Sequence, residues 1–489
     1  MKTQLTIADA KDLNYTVTLI KIPFIERVPN SDKLLFTTIN EQSVIVNDSY
    51  EVDELVLFFP TGTRIKGDFL SYMNAYRSAH LNQDPNQTGY FEDNGRVKMI
   101  KLCGTYSEGF ICKMDLFMGY LLKEDMCTEA TDGEMCPLRV AFDHLPSKFN
   151  TVTYGNKVIT LCKKFIVNHK VKQPGANLGN KVVKKTLSDQ IVEKQFRHHV
   201  KVARMGDVSW KLIPENYINV SCKYHGTSGI SANVLVKRPL NFWEKLLKRW
   251  NLGKPIEHTY KTICSSRTVI KTIDDRKATQ KDGFYKFDIW THVHNQIKEC
   301  LVPGLTLYYE IVGYLPNGSM IQKGYDYGCK MPEHEKDYIL NVHYKVFVYR
   351  ITMTDTEGYV LEYPFSYIEH FCYALKDSKI HINSPKVYFD GYIKNWWMFQ
   401  AACDENMSVS VMSQELYKYL STYYHMEQHC PYCTSTNVPF EGYIIRFEGR
   451  NLYEAYKLKA KIFALKESQA QDAAEENMED AQDNDADET

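Results

Sequence analysis

A lysine stands at the end of an alternating apolar segment and just before a glycine turn. In residues 218–229, apolar and polar side chains alternate up to Cys222, as they do along a strand; Lys223 follows, and Gly226 comes three residues later. An amine placed beside backbone that can approach phosphate oxygens is suited to nucleophilic attack. A surface lysine before a turn is the more common meaning of such a pattern when it occurs alone.

Two later strand-like segments carry groups that could bind a nucleoside. Glu310 lies within the apolar residues 306–313, where its carboxylate could accept hydrogen bonds or face solvent at an edge. Residues 344–351 are β-branched and aromatic, and either Phe347 or Tyr349 could stack on a purine or belong to the core.

Two further segments near the end of the chain carry charged groups. Glu441 and a glycine precede the apolar residues 443–445. In residues 456–461, Lys457 and Lys459 share one face of a predicted strand, where two ammonium groups would form either a phosphate cradle or a solvated basic face.

The order of these five elements resembles the covalent lysine nucleotidyltransferase superfamily of ligases and mRNA capping enzymes. Residues 223–228, K-x-H-G-T-S, are similar to the RNA ligase branch, because DNA ligases and capping enzymes usually carry Asp at the position of His225. Residues 325–329 and 430–446 are similar to viral and bacterial repair-type RNA ligases with an N-terminal OB-like domain. One departure is Cys222, where RNA ligases commonly carry Glu.

The resemblance implies an ATP-dependent RNA ligase. Lys223 would attack the α-phosphate of ATP, pyrophosphate would leave, and AMP would pass from the lysine to a 5′-phosphate RNA end. A 3′-hydroxyl would then attack that end and release AMP. The implied cofactors are ATP and Mg²⁺ or Mn²⁺, and the implied partner is RNA with a nicked duplex or broken ends.

The resemblance also implies roles for individual residues. Because an ordinary lysine has a pKa near ~10.4, neighbouring cations should lower the pKa of the nucleophile. Lys457 and Lys459 would be those cations and would also bind phosphates, and Glu441 would bind Mg²⁺ through water. Gly226 and Arg267 would bind the nucleotide, and Glu310 would accept hydrogen bonds from the ribose hydroxyls. Tyr349 would stack on adenine, with Phe347 as the alternative, and Arg446 would be a structural partner. His198 and His199 are either substrate contacts or surface residues.

The pattern along the chain predicts an α+β protein. We expect a β-rich, OB-like domain over residues 1–125 and a connector with a basic loop over 126–194. A nucleotidyltransferase (ATP-grasp-like ligase) domain of antiparallel sheets with helices should follow over 195–465, and a disordered acidic tail over 466–489. Helices are expected around Trp290 to Cys300 and over 413–424. Residues 241–252 should form an amphipathic insertion that either touches nucleic acid or packs on the surface, and packing is favoured.

Composition favours an intracellular protein, and its charge pattern suits a phosphate-rich ligand, although a solvated surface with a disordered tail is the more common meaning of such a pattern. Residues 467–489 contain ten acidic residues and no Lys or Arg, so the remaining residues carry a formal charge of +9 against −1 for the whole chain. Thirteen Cys without a dense framework predict free thiols in a reducing compartment. Without a signal peptide or a spanning apolar run, we expect a cytoplasmic monomer with no membrane partner, and a viral protein acting in its host cell is one form of this expectation.

Three alternatives stay open from the sequence. The same lysine would serve an mRNA capping guanylyltransferase or a DNA ligase, and a non-catalytic OB-type RNA-binding protein needs no lysine chemistry at all. The residues Cys430-Pro431-Tyr432-Cys433 are interpreted as a structural turn. His425 and His429 could complete a metal site there, since one C-x-x-C pair supplies only two zinc ligands.

Overall fold

The chain forms two compact units in a computed structural model. Unit 1 comprises Met1–Val167, Gly206–Val208 and Lys461–Glu475, and unit 2 comprises the rest. The structure describes residues 5–9, 14–29, 31, 33–40, 42–126, 148–166, 187–253, 255–273, 276–277, 287–315, 318–329, 343–375, 382–426 and 429–472. Among these residues, no helix has the length and hydrophobicity needed to cross a membrane.

Unit 1 is built mainly from antiparallel strands. Its strands are β1 (Leu5–Asp9), β2 (Val17–Lys21), β3 (Glu26–Arg27), β4 (Leu35–Ile39), β5 (Gln42–Val46), β6 (Leu55–Pro60), β7 (Thr63–Ile65), β8 (Ile100–Leu102), β9 (Thr105–Ser107), β10 (Gly109–Lys113), β11 (Lys148–Tyr154), β12 (Lys157–Thr160) and β13 (Cys162–Lys164). The main sheet has the order β1-β11-β2-β6-β10, with β12 on β11, and three small sheets pair β3-β4-β5, β7-β13 and β8-β9. Helices α1 (Gly67–Tyr72) and α2 (Met114–Lys123) complete this part.

Strand β6 is buried on both faces. Leu57 and Phe59 pack with the two helices, whereas Val56 and Phe58 pack against β4 and β5. A strand covered on both sides needs a continuous apolar run, which explains the sequence of β6. The OB-like assignment of this unit stays a prediction.

Unit 2 contains two sheets. Its strands are β14 (Ala203–Arg204), β15 (Tyr217–Cys222), β16 (Thr227–Lys237), β17 (His258–Ser266), β18 (Ile270–Ile273), β19 (Arg276–Lys277), β20 (Leu305–Gly313), β21 (Tyr344–Thr354), β22 (Val360–Glu362), β23 (Ile382–Asn383), β24 (Val387–Tyr392), β25 (Gly442–Phe447) and β26 (Glu454–Lys459). The five-stranded sheet has the order β14-β26-β25-β15-β24, and the eight-stranded sheet has the order β19-β18-β17-β16-β20-β21-β22, with β23 on β21. The pairings are antiparallel except β14 with β26 and β21 with β23.

Five helices of unit 2 lie in the described residues. They are α3 (Phe242–Arg249), α4 (Ile289–Ile297), α5 (Phe365–Ala374), α6 (Trp397–Ala402) and α7 (Val409–Met426). Helix α4 buries Trp290, Val293 and Ile297 in the same core as β20 and β21. The predicted apolar face is therefore confirmed, and the helix predicted over 413–424 is confirmed within the longer α7. The mixed α and β class with largely antiparallel sheets is also as predicted.

The last helix in the described residues, α8 (Lys461–Asp472), follows β26 directly but belongs to unit 1. The buried guanidinium of Arg96 donates to the carbonyl oxygen of Ser468 at 3.0 Å and to its Oγ at 2.8 Å, and it pairs with Asp472 at 2.5 Å. The prediction of disorder from residue 466 is therefore wrong up to Asp472. Acidic composition indicated no fold there, but a buried arginine remote in sequence supplies the partner. Residues 473–489 lie outside the described part.

The predicted boundary of the first domain at residue 125 is also displaced. Unit 1 continues to Val167 because β11 pairs with β1, β2 and β12. Turn-forming residues indicated a connector, whereas strand pairing over more than a hundred residues leaves no local signal. Most of the predicted basic loop lies outside the described residues.

A buried polar cluster links α4, β16 and β20. His294 Nδ1 lies 2.9 Å from Ser231 Oγ, which lies 3.0 Å from the Tyr309 hydroxyl. His294 Nε2 is buried and has no hydrogen-bond partner among the described residues. Burial, with a smaller effect of the Lys298 charge, lowers the pKa of His294 from 6.5 to about 4.

We expect acid to destabilise unit 2 through His294. Between pH 6.5 and about 4 the unfolded chain binds a proton that the folded chain does not, so the free energy of unfolding falls as pH drops through this window, by about 3 kcal/mol. Urea unfolding over this pH range measures the loss. His294→Asn should flatten the profile, and His370→Asn, at an exposed histidine, is the matched control. A profile unchanged in His294→Asn would contradict the assignment.

Candidate active site

Lys223 lies where the chain passes from one sheet of unit 2 to the other. Strand β15 ends at Cys222 in the five-stranded sheet, and β16 begins at Thr227 in the eight-stranded sheet. The backbone N–H of Lys223 donates to the Gly442 carbonyl at 2.9 Å and so continues the pairing of β15 with β25. The prediction of a strand that ends just before this lysine is confirmed. The pairing fixes the position of its backbone.

The side chain of Lys223 is paired with a buried carboxylate. Its Nζ lies 2.5 Å from Glu441 Oε1, with 15% of the lysine side chain and 1% of the glutamate side chain exposed. The second oxygen, Glu441 Oε2, is buried and accepts no hydrogen bond from the described residues; His225 Nδ1 lies 4.0 Å from it. The pair therefore retains one acceptor with unused hydrogen-bonding capacity.

Gly442 allows β26 to come close to β25. Its φ is +138°, and a Cβ there would lie 2.1 Å from the Leu458 carbonyl oxygen, so only glycine fits. Gly442 pairs with Lys459 on β26, and Lys457 lies two residues away on the same strand; both lysines are half-buried. Lys223 and Lys459 thus flank Gly442 on its two neighbouring strands.

Glu310 lies on the opposite side of the glycine turn. It accepts the Gly226 N–H at 3.1 Å and the Ser228 hydroxyl at 2.8 Å. A Cβ at Gly226 would lie 2.2 Å from the Ile311 carbonyl oxygen, so this position also requires glycine. Strand β20 therefore holds the turn that follows Lys223 through a carboxylate.

The two candidate stacking rings have different surroundings. Phe347 stacks on Tyr224 with ring centroids 3.9 Å apart and an interplanar angle of 5°. The Tyr349 hydroxyl lies 2.7 Å from His199 Nδ1 and the two rings meet edge to face. A register shift in the pairing of β20 with β21 occurs at Tyr349. The role of either ring against a base stays a prediction.

Arg267 and Arg446 differ in their surroundings. Arg267 lies in the turn between β17 and β18, and its charge lowers the pKa of Tyr349, while burial and Glu310 raise that pKa more strongly. Arg267 and Glu310 are therefore both near Tyr349. Arg446 pairs with Glu448 at 3.0 Å and is buried, as expected of a structural partner.

Three residues that contact the turn after Lys223 or the segment before Glu441 had no predicted role. The Tyr327 hydroxyl accepts the His225 N–H at 2.7 Å, Gln322 Nε2 donates to the Gly226 carbonyl at 2.8 Å, and the Tyr325 hydroxyl donates to the Pro439 carbonyl at 2.9 Å. We call Gln322, Tyr325 and Tyr327 the tyrosine clip. The sequence signal for Tyr325 and Tyr327 is the Tyr-x-Tyr-Gly motif within residues 325–329, and Gln322 has no such signal.

The C-x-x-C motif borders the tyrosine clip. Cys430 and Cys433 are free thiols that hydrogen-bond to each other, and the Cys430 N–H donates to the Val438 carbonyl at 2.7 Å. Asp326 accepts the Thr434 N–H at 2.8 Å, which attaches this turn to the clip. The His425 side chain lies outside the described residues. Among those described, no three His, Cys, Asp or Glu side chains form a group that could hold a metal.

The comparisons with known proteins concern the fold. No family model and no curated protein matches the sequence. Among solved structures, the chain is similar to Naegleria gruberi RNA ligase with PPi, with a TM-score of 0.49 and 12% identity over 94% of this chain and 99% of that chain. It is also similar to mutants of that ligase, one apo (TM-score 0.49, 12% identity) and one with ATP and Mn (TM-score 0.48, 10% identity), over the same shares of both chains. The functional argument therefore rests on the residues of this chain.

We expect Tyr327→Phe to loosen the turn that carries the lysine. The variant leaves the His225 N–H without its acceptor, which should cost about 1–3 kcal/mol if no water replaces the hydroxyl. Hydrogen exchange of the amides in residues 223–229 should become faster. Tyr373→Phe, at an exposed tyrosine on α5, is the matched control. Unchanged exchange in Tyr327→Phe would show that the clip does not hold the turn.

Proposed function

We propose that this protein is an ATP-dependent RNA ligase that joins 3′-hydroxyl and 5′-phosphate RNA ends through an AMP bound to Lys223. The observation that carries the proposal is the placement of Lys223. Its Nζ lies 2.5 Å from buried Glu441, beside a glycine turn and opposite a strand that carries two further lysines. A solvated surface lysine would need none of these partners.

The first step uses the amine of Lys223 and the charges around it. In this step Nζ attacks the α-phosphate of ATP, the bond from the α-phosphorus to the bridging oxygen breaks, and pyrophosphate leaves. Lys459 and Lys457, on β26, supply positive charge for the phosphate oxygens. Glu441 holds Nζ in position, and the lysine must lose its proton before it can attack. The low exposure of the Lys223 and Glu441 side chains keeps water from competing with the contact between them.

The donor set fits a divalent cation bound mainly through the nucleotide. Glu441 Oε2 is the buried oxygen with unused capacity, and a single carboxylate with phosphates and waters is the usual way Mg²⁺ is held in nucleotide sites. Such a cation, when bound, would offset charge on the phosphates and favour the neutral lysine. Glu441 is the residue that would hold it, through water.

The opposite side of the turn suits a nucleoside. Glu310 already accepts two hydrogen bonds, and its carboxylate can accept more from ribose hydroxyls. Tyr349 or Phe347 supplies a ring for adenine, and Arg267, near Tyr349, supplies charge for a phosphate. Gly226 allows β20 to come close to the turn, so that the Glu310 carboxylate reaches this side.

RNA as the second substrate is supported by the K-x-H-G-T-S resemblance at Lys223. The formal charge of +9 outside the acidic C-terminal residues also suits a polyanion. We further propose that unit 1 is OB-like and contributes to the choice of RNA through contacts with its backbone. AMP passes from Lys223 to the 5′-phosphate, and the 3′-hydroxyl then displaces AMP.

The direct test is covalent labelling of the protein. Incubation with Mg²⁺ and ATP labelled at the α-phosphate should leave label on the denatured protein, because a phosphoramidate survives denaturation. Lys223→Ala should abolish the label, and Lys418→Ala, at an exposed lysine on α7, should keep it. The labelled protein should then seal nicked RNA with release of AMP.

Each alternative outcome has a defined meaning. Label from GTP in place of ATP would move the protein to capping chemistry, and sealing of DNA nicks alone would make it a DNA ligase. If protein freed of bound AMP accepts no label from either nucleotide, the enzyme proposal fails and a non-catalytic RNA-binding protein remains.

Two glutamates should affect the labelling rate differently. Glu441→Gln should lower kcat by about 100-fold, because its contacts act on the reacting lysine and phosphates. Glu310→Gln should raise KM for ATP by about tenfold with a smaller change in kcat, because ribose is bound equally in ground and transition states. Glu405→Gln, at an exposed glutamate, is the control. Identical effects of the two variants on kcat would contradict the separate roles.

A further inference from the structure

The hairpin between β16 and β17 carries an exposed apolar surface. We call the segment from Phe242 to Ile256, which includes α3, the tip segment. Six of its large apolar side chains each expose between 43% and 74% of their surface: Phe242, Trp243, Leu247, Trp250, Leu252 and Ile256. The sequence predicted that this insertion packs on the surface, and that prediction is wrong. The described chain leaves these side chains uncovered.

A helix cap and two ion pairs nevertheless hold α3 in place. Asn241 caps α3, accepting the Glu244 N–H at 2.8 Å, while the Glu244 carboxylate accepts the Asn241 N–H at 2.8 Å. Arg238 pairs with Glu244, and Lys248 pairs with Glu257. The apolar surface is therefore presented by a capped helix anchored at both ends.

Helix α3 separates apolar from charged residues. At 100° per residue, its apolar residues and Trp250 fall within an arc of about 140°, and the charged residues occupy the rest. The cations of the charged face are Lys245, Lys248 and Arg249, and Glu244 is its only anion. Aromatic and leucine side chains opposite lysine and arginine are typical of helices that lie in the interface of a lipid bilayer.

The tip segment is remote from the candidate active site. Strand β16 runs from Thr227, beside the nucleophile turn, to Lys237, a length of about 34 Å. RNA ends bound at Lys223 would therefore not have to contact the tip segment. A separate binding function fits this distance better.

The composition of the surface favours lipid over RNA or protein. Bases stack on aromatic rings, but Leu247, Leu252 and Ile256 offer them nothing comparable. A stable protein interface takes about 20–30 residues on each partner, whereas the tip segment comprises 15 residues. A lipid interface needs only a small apolar face and cations for its anionic headgroups.

We propose that the tip segment docks this protein on an anionic lipid surface, with α3 lying in the interface and its apolar face towards the acyl chains. Lys245, Lys248 and Arg249 then contact the headgroups. This binding does not depend on the proposed ligase activity, and it differs from the sequence prediction of no membrane partner.

The experiment uses the full chain and vesicles of defined composition. Cosedimentation should show binding to an equal mixture of phosphatidylcholine and phosphatidylserine and weaker binding to phosphatidylcholine alone. The double variant Trp243→Glu, Trp250→Glu should bind at least about tenfold more weakly. Tyr359→Glu, at an aromatic residue that is 77% exposed elsewhere in unit 2, should bind as the unchanged protein does.

A second variant separates charge from apolar insertion. Lys245→Glu with Arg249→Glu should remove the preference for phosphatidylserine. Because all four substituted side chains are exposed, circular dichroism and nucleotide labelling should stay unchanged. The proposal fails if the unchanged protein does not bind vesicles, or if the tryptophan variant binds them equally well. Weaker RNA binding by the tryptophan variant, without any vesicle binding, would instead assign the tip segment to RNA.

Discussion

The candidate site depends on one ion pair, between Lys223 and Glu441. The Glu441 carboxylate is almost fully buried, so the pair forms only if the backbone fixes the positions of both residues. Removal of one partner from a buried pair typically costs about 3–5 kcal/mol because the other charge is left uncompensated. The pairing of β15 with β25, the glycine that admits β26 and the hydrogen bonds around the turn all serve to keep this pair in place.

The strands of the site could be predicted because their signals are local. Alternation up to Cys222 and the apolar residues around Glu310 are sufficient to define strands, and the order of the five elements supplied the resemblance. The different surroundings of Phe347 and Tyr349 could not be predicted, because no pattern within β21 encodes the register shift against β20, and the choice between the two rings stays open. The tyrosine clip was missed for a related reason: its partners lie about a hundred residues away.

The larger errors came from contacts between remote segments. The acidic residues after Lys466 indicated disorder, but Arg96 stabilises the helix that contains the first of them. The insertion with two tryptophans was expected to pack because apolar side chains usually do. Its exposure follows from the length of β16 and β17, which carry it away from the sheet core. Local composition predicts whether such a segment is acidic or amphipathic, and only the tertiary structure shows which residues it contacts.

Helix α8 makes unit 1 discontinuous in sequence, and this affects how the protein can fold during synthesis. Arg96 meets Ser468 across 372 residues, so the nascent N-terminal segment leaves the ribosome long before its final helix is available. Until then Arg96 lacks these partners, while unit 2 is synthesised as an insertion within unit 1. Completion of the first unit thus waits until α8 has been synthesised, and a chain terminated before Lys461 would lack this helix.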